Sequence, residues 1–245
     1  MLSFIVPAHN EEHELPLTLA AIRSAAQAAG QPYEIIVVSD SSTDATAELA
    51  ERDGARVVRI QRRQIAAARN AGGRVARGAT LFFIDADTRI SPAHITGACS
   101  ALADGCVGGG ARVTTDGAIP RWGQFFVYAF CTVYFALNLG AGAFLFTTRE
   151  NFEKAGGFDE ELFAGEEIYF SQALKKMGRF KILRESVVTS GRKLRMHSAG
   201  HILSRSLAIV LGGKRAVQSR EKLDLWYDGK RETSAAERTS SSGRG

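Results

Sequence analysis

The sequence has little cysteine, little proline and no apolar run of membrane-spanning length. Its three cysteines, Cys99, Cys106 and Cys131, form no C-x-x-C pair and leave one over from any pairing, which excludes a disulfide framework and a zinc knuckle. A reducing, cytoplasmic setting fits that usage. The opening Met1-Leu2-Ser3-Phe4-Ile5-Val6-Pro7 lacks the basic and long apolar regions of a signal peptide, so residue 1 is expected to begin the fold itself. The most apolar stretch, Phe125 to Leu137, is shorter than the roughly 20 residues a bilayer span needs. It reads as a core helix or as an interfacial, acceptor-facing one. No internal repeat is present.

Positive charge is also scarce outside one end. The formal charge is +5, but residues 192–245 hold twelve Lys/Arg and five Asp/Glu, leaving 19 basic and 21 acidic residues in 1–191. A slightly acidic body without a basic stripe excludes a nucleic-acid binder, whereas the basic end suits anionic lipid headgroups and a peripheral contact with the inner membrane face.

What is present is the composition of a soluble α/β domain: 245 residues, 45% hydrophobic and 23% charged. Apolar or β-branched runs at 3–6, 34–38, 55–60 and 80–84 alternate with Ala-rich stretches of helical period at 12–29, 43–53, 64–77 and 91–103. Runs such as Ile35-Ile36-Val37-Val38 show no polar alternation, as expected of parallel strands covered on both faces. Ser42-Thr43-Asp44 reads as a helix start, and Gly30, Gly54 and Gly78 as left-handed helix ends. From about residue 105 the rhythm changes to a Gly-rich strand at 107–114, the aromatic run, and helical patterns at 166–178 and around 199–211. Residues 234–245 read as a disordered tail.

Three strand ends carry polar residues to one edge. Asp85-Ala86-Asp87 follows Leu81–Ile84, and two carboxylates so spaced at a carboxyl strand end can act on one Mg²⁺ or Mn²⁺ and, through it, on a diphosphate. Alone, the same pair also suits a solvated turn. Asp40 ends the second run, where it can accept from a nucleobase N–H or a ribose hydroxyl, while Asp44 is expected to cap the next helix. Pro7, His9 and Glu11 end the first. His197 and His201 have a metal-binding helical spacing but no H-E-x-x-H string, which argues against a site there.

The stretches Phe4–Glu12, Glu34–Asp44, Ala68-Arg69-Asn70-Ala71-Gly72 and Phe83–Asp87, taken in order and spacing, resemble glycosyltransferase family 2, the inverting transferases of GT-A fold. With Ala155–Glu167 the resemblance covers roughly residues 2–185. It implies an α/β fold with a Rossmann-like, mostly parallel sheet flanked by helices. Residues 1–190 would form the GT-A domain, with a nucleotide-sugar half at 1–104 and an acceptor and catalytic half at 105–190. A basic helical extension at 191–233 would follow. It further implies that Pro7, His9 and Glu11 border base and ribose, that Asp40 binds the base, and that Arg69 lies near the nucleotide. Asp85 and Asp87 would hold the metal and diphosphate, and Glu166 and Glu167 the catalytic pair, with 167 at the usual base position. Ser39 stands where the family often has Asp, His9 replaces a frequent Tyr, and Glu167 replaces an Asp. The family's processive Gln-x-x-Arg-Trp motif is absent, so a non-processive transferase of nucleotide-sugar to acceptor hydroxyl is expected, the acceptor being a glycan, a lipid-linked species or a small molecule. The alternative is a nucleotide-sugar-binding protein with little turnover. Arg192, Lys193 and Arg195 can close over a departing diphosphate or serve only as surface charge. A sugar-nucleotide pyrophosphorylase is excluded because no Gly-rich phosphate loop follows Val6.

Overall fold

The computed structural model describes residues 1–116, 122 and 139–192. The aromatic run at 125–137, the expected helix around 199–211, His197, His201, Lys193, Arg195, Cys131 and the terminal tail lie outside the described residues.

Four strands expected from the sequence form as β1 (Leu2–Ala8), β2 (Tyr33–Asp40), β3 (Arg56–Ile60) and β4 (Thr80–Ile84). They alternate with helices α1 (Leu15–Ala28), α2 (Thr46–Arg52) and α3 (Ile65–Val75), and α4 (Pro92–Ala103) follows β4. Every residue of β1 is buried because it lies between β2 and β4 and under helices on both faces. Strand alternation divides that burial. Phe4 and Val6 join the cluster with Leu15, Leu19 and Ile22 of α1, and Ile5 joins the opposite cluster with Ala66 and Ala68 of α3. Each fully buried Phe, Val, Leu or Ile among them contributes about 1.5–3 kcal/mol of transfer free energy. Gly72 lets α3 approach closely, since a Cβ there would lie only 3.0 Å from Val38 Cγ2 and closer still to Ile5.

The second half adds β5 (Thr88–Arg89), β6 (Gly108–Thr115), β7 (Phe144–Thr148), α5 (Arg149–Lys154), α6 (Glu166–Met177) and β8 (Phe180–Thr189). One sheet results, in the order β3-β2-β1-β4-β7-β6-β8-β5. Its first four strands are parallel, but β7 is antiparallel to both β4 and β6, and β5 to β8. The sheet is thus mostly parallel, as expected, with β7 and β5 alone reversed among the described strands. A return strand can reverse direction without a crossover helix, which short-range periodicity does not reveal.

Two local readings change. Gly30 and Gly54 have φ of +64° and +79° as helix-end residues, whereas Gly78 does not occupy the left-handed region. Gly78 is required by close approach instead, because a Cβ would stand 2.7 Å from Met1 O. Helix α2 begins at Thr46, and Asp44 caps it by accepting from Thr46 N at 3.0 Å.

Candidate functional site

Strands β1, β2 and β4 end on one edge, β7 begins there, and β6 and β8 end there, so a cleft opens over the topological switch between β1 and β4, where the strand order reverses. A cavity of about 300 Å³ occupies it. Its wall includes all nine residues singled out in the sequence: Pro7, His9 and Glu11 after β1, Asp40 at the end of β2, Arg69 on α3, Asp85 and Asp87 after β4, and Glu166 and Glu167 on α6.

Arg69 organises the floor. Only 1% of its side chain is exposed, so its charge must be met by protein groups. It donates through Nη1 to Glu166 Oε1, and through Nη2 to Asp85 Oδ1 at 2.8 Å and to the Gly142 carbonyl at 3.1 Å. The guanidinium carbon also lies 5.3 Å from the centroid of the Phe158 ring. A side chain at 142 would collide with it, since a Cβ there would be 2.6 Å from Nη2. Arg69 thus joins the end of β4, the start of β7 and the first turn of α6. Burial works against its charge, but Asp85, Glu166 and Glu167 outweigh that and hold its pKa above the ordinary value.

The neighbouring residues of α3 hold the loop that leads into α6. Asn70 grips Phe158 reciprocally: its Nδ2 donates to the Phe158 carbonyl at 2.8 Å, and the Phe158 amide donates to its Oδ1 at 2.8 Å. Gln64 Nε2 donates to the carbonyls of Glu160 and, at 3.1 Å, Leu162. Gly165, at φ +71°, then turns the chain into α6. Glu166 and Glu167 consequently sit at the positive end of a helix.

The two glutamates differ in environment. Glu166 is 2% exposed and paired to Arg69; burial raises its pKa and the guanidinium pulls it down, with a net rise. Glu167 is half-buried and faces the cavity. Burial of its carboxyl, and then the neighbouring Glu166 carboxylate, push it up to about 8. A carboxylate of that basicity can take a proton from an approaching hydroxyl near neutral pH.

Asp40 also holds backbone beside the cavity. Its Oδ1 accepts from the amides of Arg62 at 2.8 Å and Arg63 at 2.7 Å, and its Oδ2 from Gln64 at 2.7 Å, so it shapes the loop before α3. A nucleobase N–H would have to share this carboxylate. His9 Nδ1 donates to the Asp40 carbonyl at 2.7 Å, because a carbonyl can only accept; its ring is thereby tied to β2 at the cavity wall. Arg63, Gln64, Gly142 and Ala143 also line the cavity and were missed in the sequence. Gly142, interrupting an apolar stretch just before a strand, was the one available signal.

Among the described residues no group of three or more His, Cys, Asp or Glu side chains is placed to cage a metal. Asp85 and Asp87 nevertheless fit a cation of the Mg²⁺ or Mn²⁺ type, which takes one or two carboxylates and fills its shell with phosphate oxygens and water. Both carboxylates line the open cavity, and Asp85 keeps Oδ2 clear of the bond that Oδ1 makes to Arg69.

An α/β sheet with a nucleotide-sized cleft at its switch point and a carboxylate pair on the facing helix defines a GT-A transferase architecture. The description of glycosyl transferase family 2 matches residues 3–184, and the chain belongs to that family. It is 36% identical over 131 residues to the undecaprenyl-phosphate 4-deoxy-4-formamido-L-arabinose transferase of Pseudomonas paraeruginosa, covering 50% of this chain and 39% of that protein. The chain thus spans about two fifths of that relative's length. In fold it is similar to S. aureus TarS in complex with UDP-GlcNAc, with a TM-score of 0.63 at 16% identity over 97% of this chain and 77% of that one. It is also similar to the mannosyltransferase PcManGT from Pyrobaculum calidifontis in complex with GDP-Man and Mn²⁺, with a TM-score of 0.60 at 20% identity over 99% of this chain and 79% of that one.

Proposed function

We propose that this protein is an inverting, metal-assisted, non-processive glycosyltransferase that moves a sugar from a nucleotide-sugar to an acceptor hydroxyl by single displacement. The observation that carries the reading is the buried Arg69 bridge, which ties Asp85 at the end of β4 to the helix that bears Glu166 and Glu167. Glu167 takes the hydroxyl proton as the acceptor oxygen attacks the anomeric carbon from the face opposite the diphosphate. Glu166, locked to Arg69, holds the first turn of α6 and keeps Glu167 basic. A divalent cation bound by Asp85 and Asp87 would neutralise the leaving diphosphate. Pro7, His9, Glu11 and Asp40 would border the base and ribose.

The relative's name raises a second acceptor, a polyprenyl phosphate. Its oxygen is already anionic and needs no base, so a side chain raised to about 8 favours the hydroxyl, carried on a lipid-linked or small acceptor. The reading includes a cytoplasmic protein that touches the inner membrane face through its basic end. No helix among the described residues is long and apolar enough to cross a membrane.

The test is acceptor-dependent release of nucleoside diphosphate from a panel of UDP-, GDP- and dTDP-sugars with Mn²⁺. Release from at least one donor is expected, with Asp87→Ala inactive; no release or hydrolysis from any donor would leave the binding protein with little turnover as the better description.

A further inference from the structure

Arg192 lies just past the end of β8, on the cavity wall. Its Nη1 donates to Glu11 Oε2 at 2.7 Å and its Nη2 to Glu11 Oε1 at 2.5 Å, a two-pronged pair, while Nη2 also stands 3.4 Å from Asp87 Oδ2. The three side chains are 12%, 10% and 16% exposed. The backbone before it is tied to the same spot. Ser190 N donates to the Asp87 carbonyl at 3.2 Å, Thr189 Oγ1 to Asp87 Oδ1 at 3.1 Å, and Gly191 N to Asp116 Oδ1 at 3.0 Å. Chain and charge together hold the guanidinium over Asp87.

Glu11 and Asp87 are two like charges in one shielded space, and the Arg192 guanidinium offsets the repulsion between them. A divalent ion bridging Asp87 to a diphosphate would supply the same neutralisation and would need the oxygen that faces Arg192. We propose that Arg192 is a placeholder for the divalent cation: it neutralises Glu11 and Asp87 before the donor binds, and gives up Asp87 when metal and nucleotide arrive. This rests on the metal-assisted reading above. The distances say which contact yields. The Glu11 pair is short and bidentate, whereas 3.4 Å to Asp87 is longer than a good charge-assisted hydrogen bond, so Arg192 stays on Glu11. Metal alone must displace a fixed positive charge and binds weakly. Metal arriving with a diphosphate brings its own oxygen ligands and the compensating charge, so the two enter together.

The experiment titrates Mn²⁺ into the full chain, reading free Mn²⁺ by electron paramagnetic resonance with and without UDP and GDP. In the wild-type protein, Mn²⁺ should bind detectably tighter with nucleoside diphosphate. Arg192→Gln, which keeps a hydrogen-bonding side chain and loses the charge, should tighten nucleotide-free Mn²⁺ binding by about tenfold or more, the scale expected for removing a unit charge beside a carboxylate. Glu11→Gln should have the opposite sign, because the guanidinium then loses its bidentate carboxylate and shifts toward Asp87. Melting curves confirm that each variant is folded, and Arg192→Lys, which keeps the charge, should remain close to wild type if Arg192→Gln unfolds. Should Arg192→Gln bind Mn²⁺ no tighter while Asp87→Asn still abolishes binding, the placeholder role is overturned and the metal site stands. Absence of Mn²⁺ binding in every form, with and without nucleotide, would overturn the metal reading and the exchange with it.

Discussion

Glu167→Gln is expected to lower kcat by about a hundredfold or more while leaving the donor KM nearly unchanged. Gln keeps the size and the hydrogen bonding but cannot accept a proton, so the loss falls on chemistry and not on donor binding. The same variant carries a pH signature. In the wild-type protein kcat/KM should rise with pH to a plateau above about 8, the pKa to which burial and the Glu166 carboxylate push Glu167. Stability should run the other way. The folded carboxyl keeps its proton up to about 8 and the unfolded one releases it near 4.5, so the folded state binds more protons in that window and loses stability as pH rises through it. Glu167→Gln removes that loss and should melt at or above the wild-type temperature at pH 8. An inactive variant that is also unstable would point to a structural role. Full activity in the variant would transfer the account to an anionic acceptor such as a polyprenyl phosphate.

Arg69→Met should be the most destabilising single change in the cleft, by about 3–5 kcal/mol, because it strands Glu166 at 2% exposure without its cation. Glu166 can escape by protonating, since burial already raises its pKa, so the deficit should be greatest at high pH and shrink as pH falls toward 4.5. Replacing both partners tests the pair directly. Arg69→Met with Glu166→Leu removes the buried charges together and should recover much of the lost stability, yet remain inactive because α6 is no longer tied to Asp85. Calorimetric melting of the two single variants and the double variant measures the coupling. Additive losses would mean that the bridge does not hold the cleft together.

Much of this cleft was legible before any coordinates, for a physical reason. In a parallel sheet, unbroken apolar runs such as Leu81–Ile84 mark buried strands, and the polar residues that follow them must emerge at one edge. Pro7, His9, Glu11, Asp40, Asp85 and Asp87 could therefore be brought together from one-dimensional spacing, and the structure puts them around one cavity. Arg69, Glu166 and Glu167 came from resemblance, because nothing local says that Glu166, 97 residues on from Arg69, folds back over α3. The mixed half was harder. Strand β7 pairs with β4 across more than 55 intervening residues, and β5 is only two residues long, too short for any period to register. Asp40 shows the limit of residue type as evidence. A carboxylate at a strand end serves a ligand or a loop equally well, and only the three amides around it reveal the loop.

The central claim is that a side-chain base on α6 drives direct displacement of the diphosphate. Nuclear magnetic resonance of the product formed from a donor of known anomeric configuration tests this most directly. The chemical shift and coupling of the anomeric proton, read during the first turnovers, give the configuration of the new linkage. The account predicts inversion: an α-linked nucleotide-sugar yields a β-linked product. Retention of configuration would contradict it, since a single displacement with one base cannot preserve the anomeric centre.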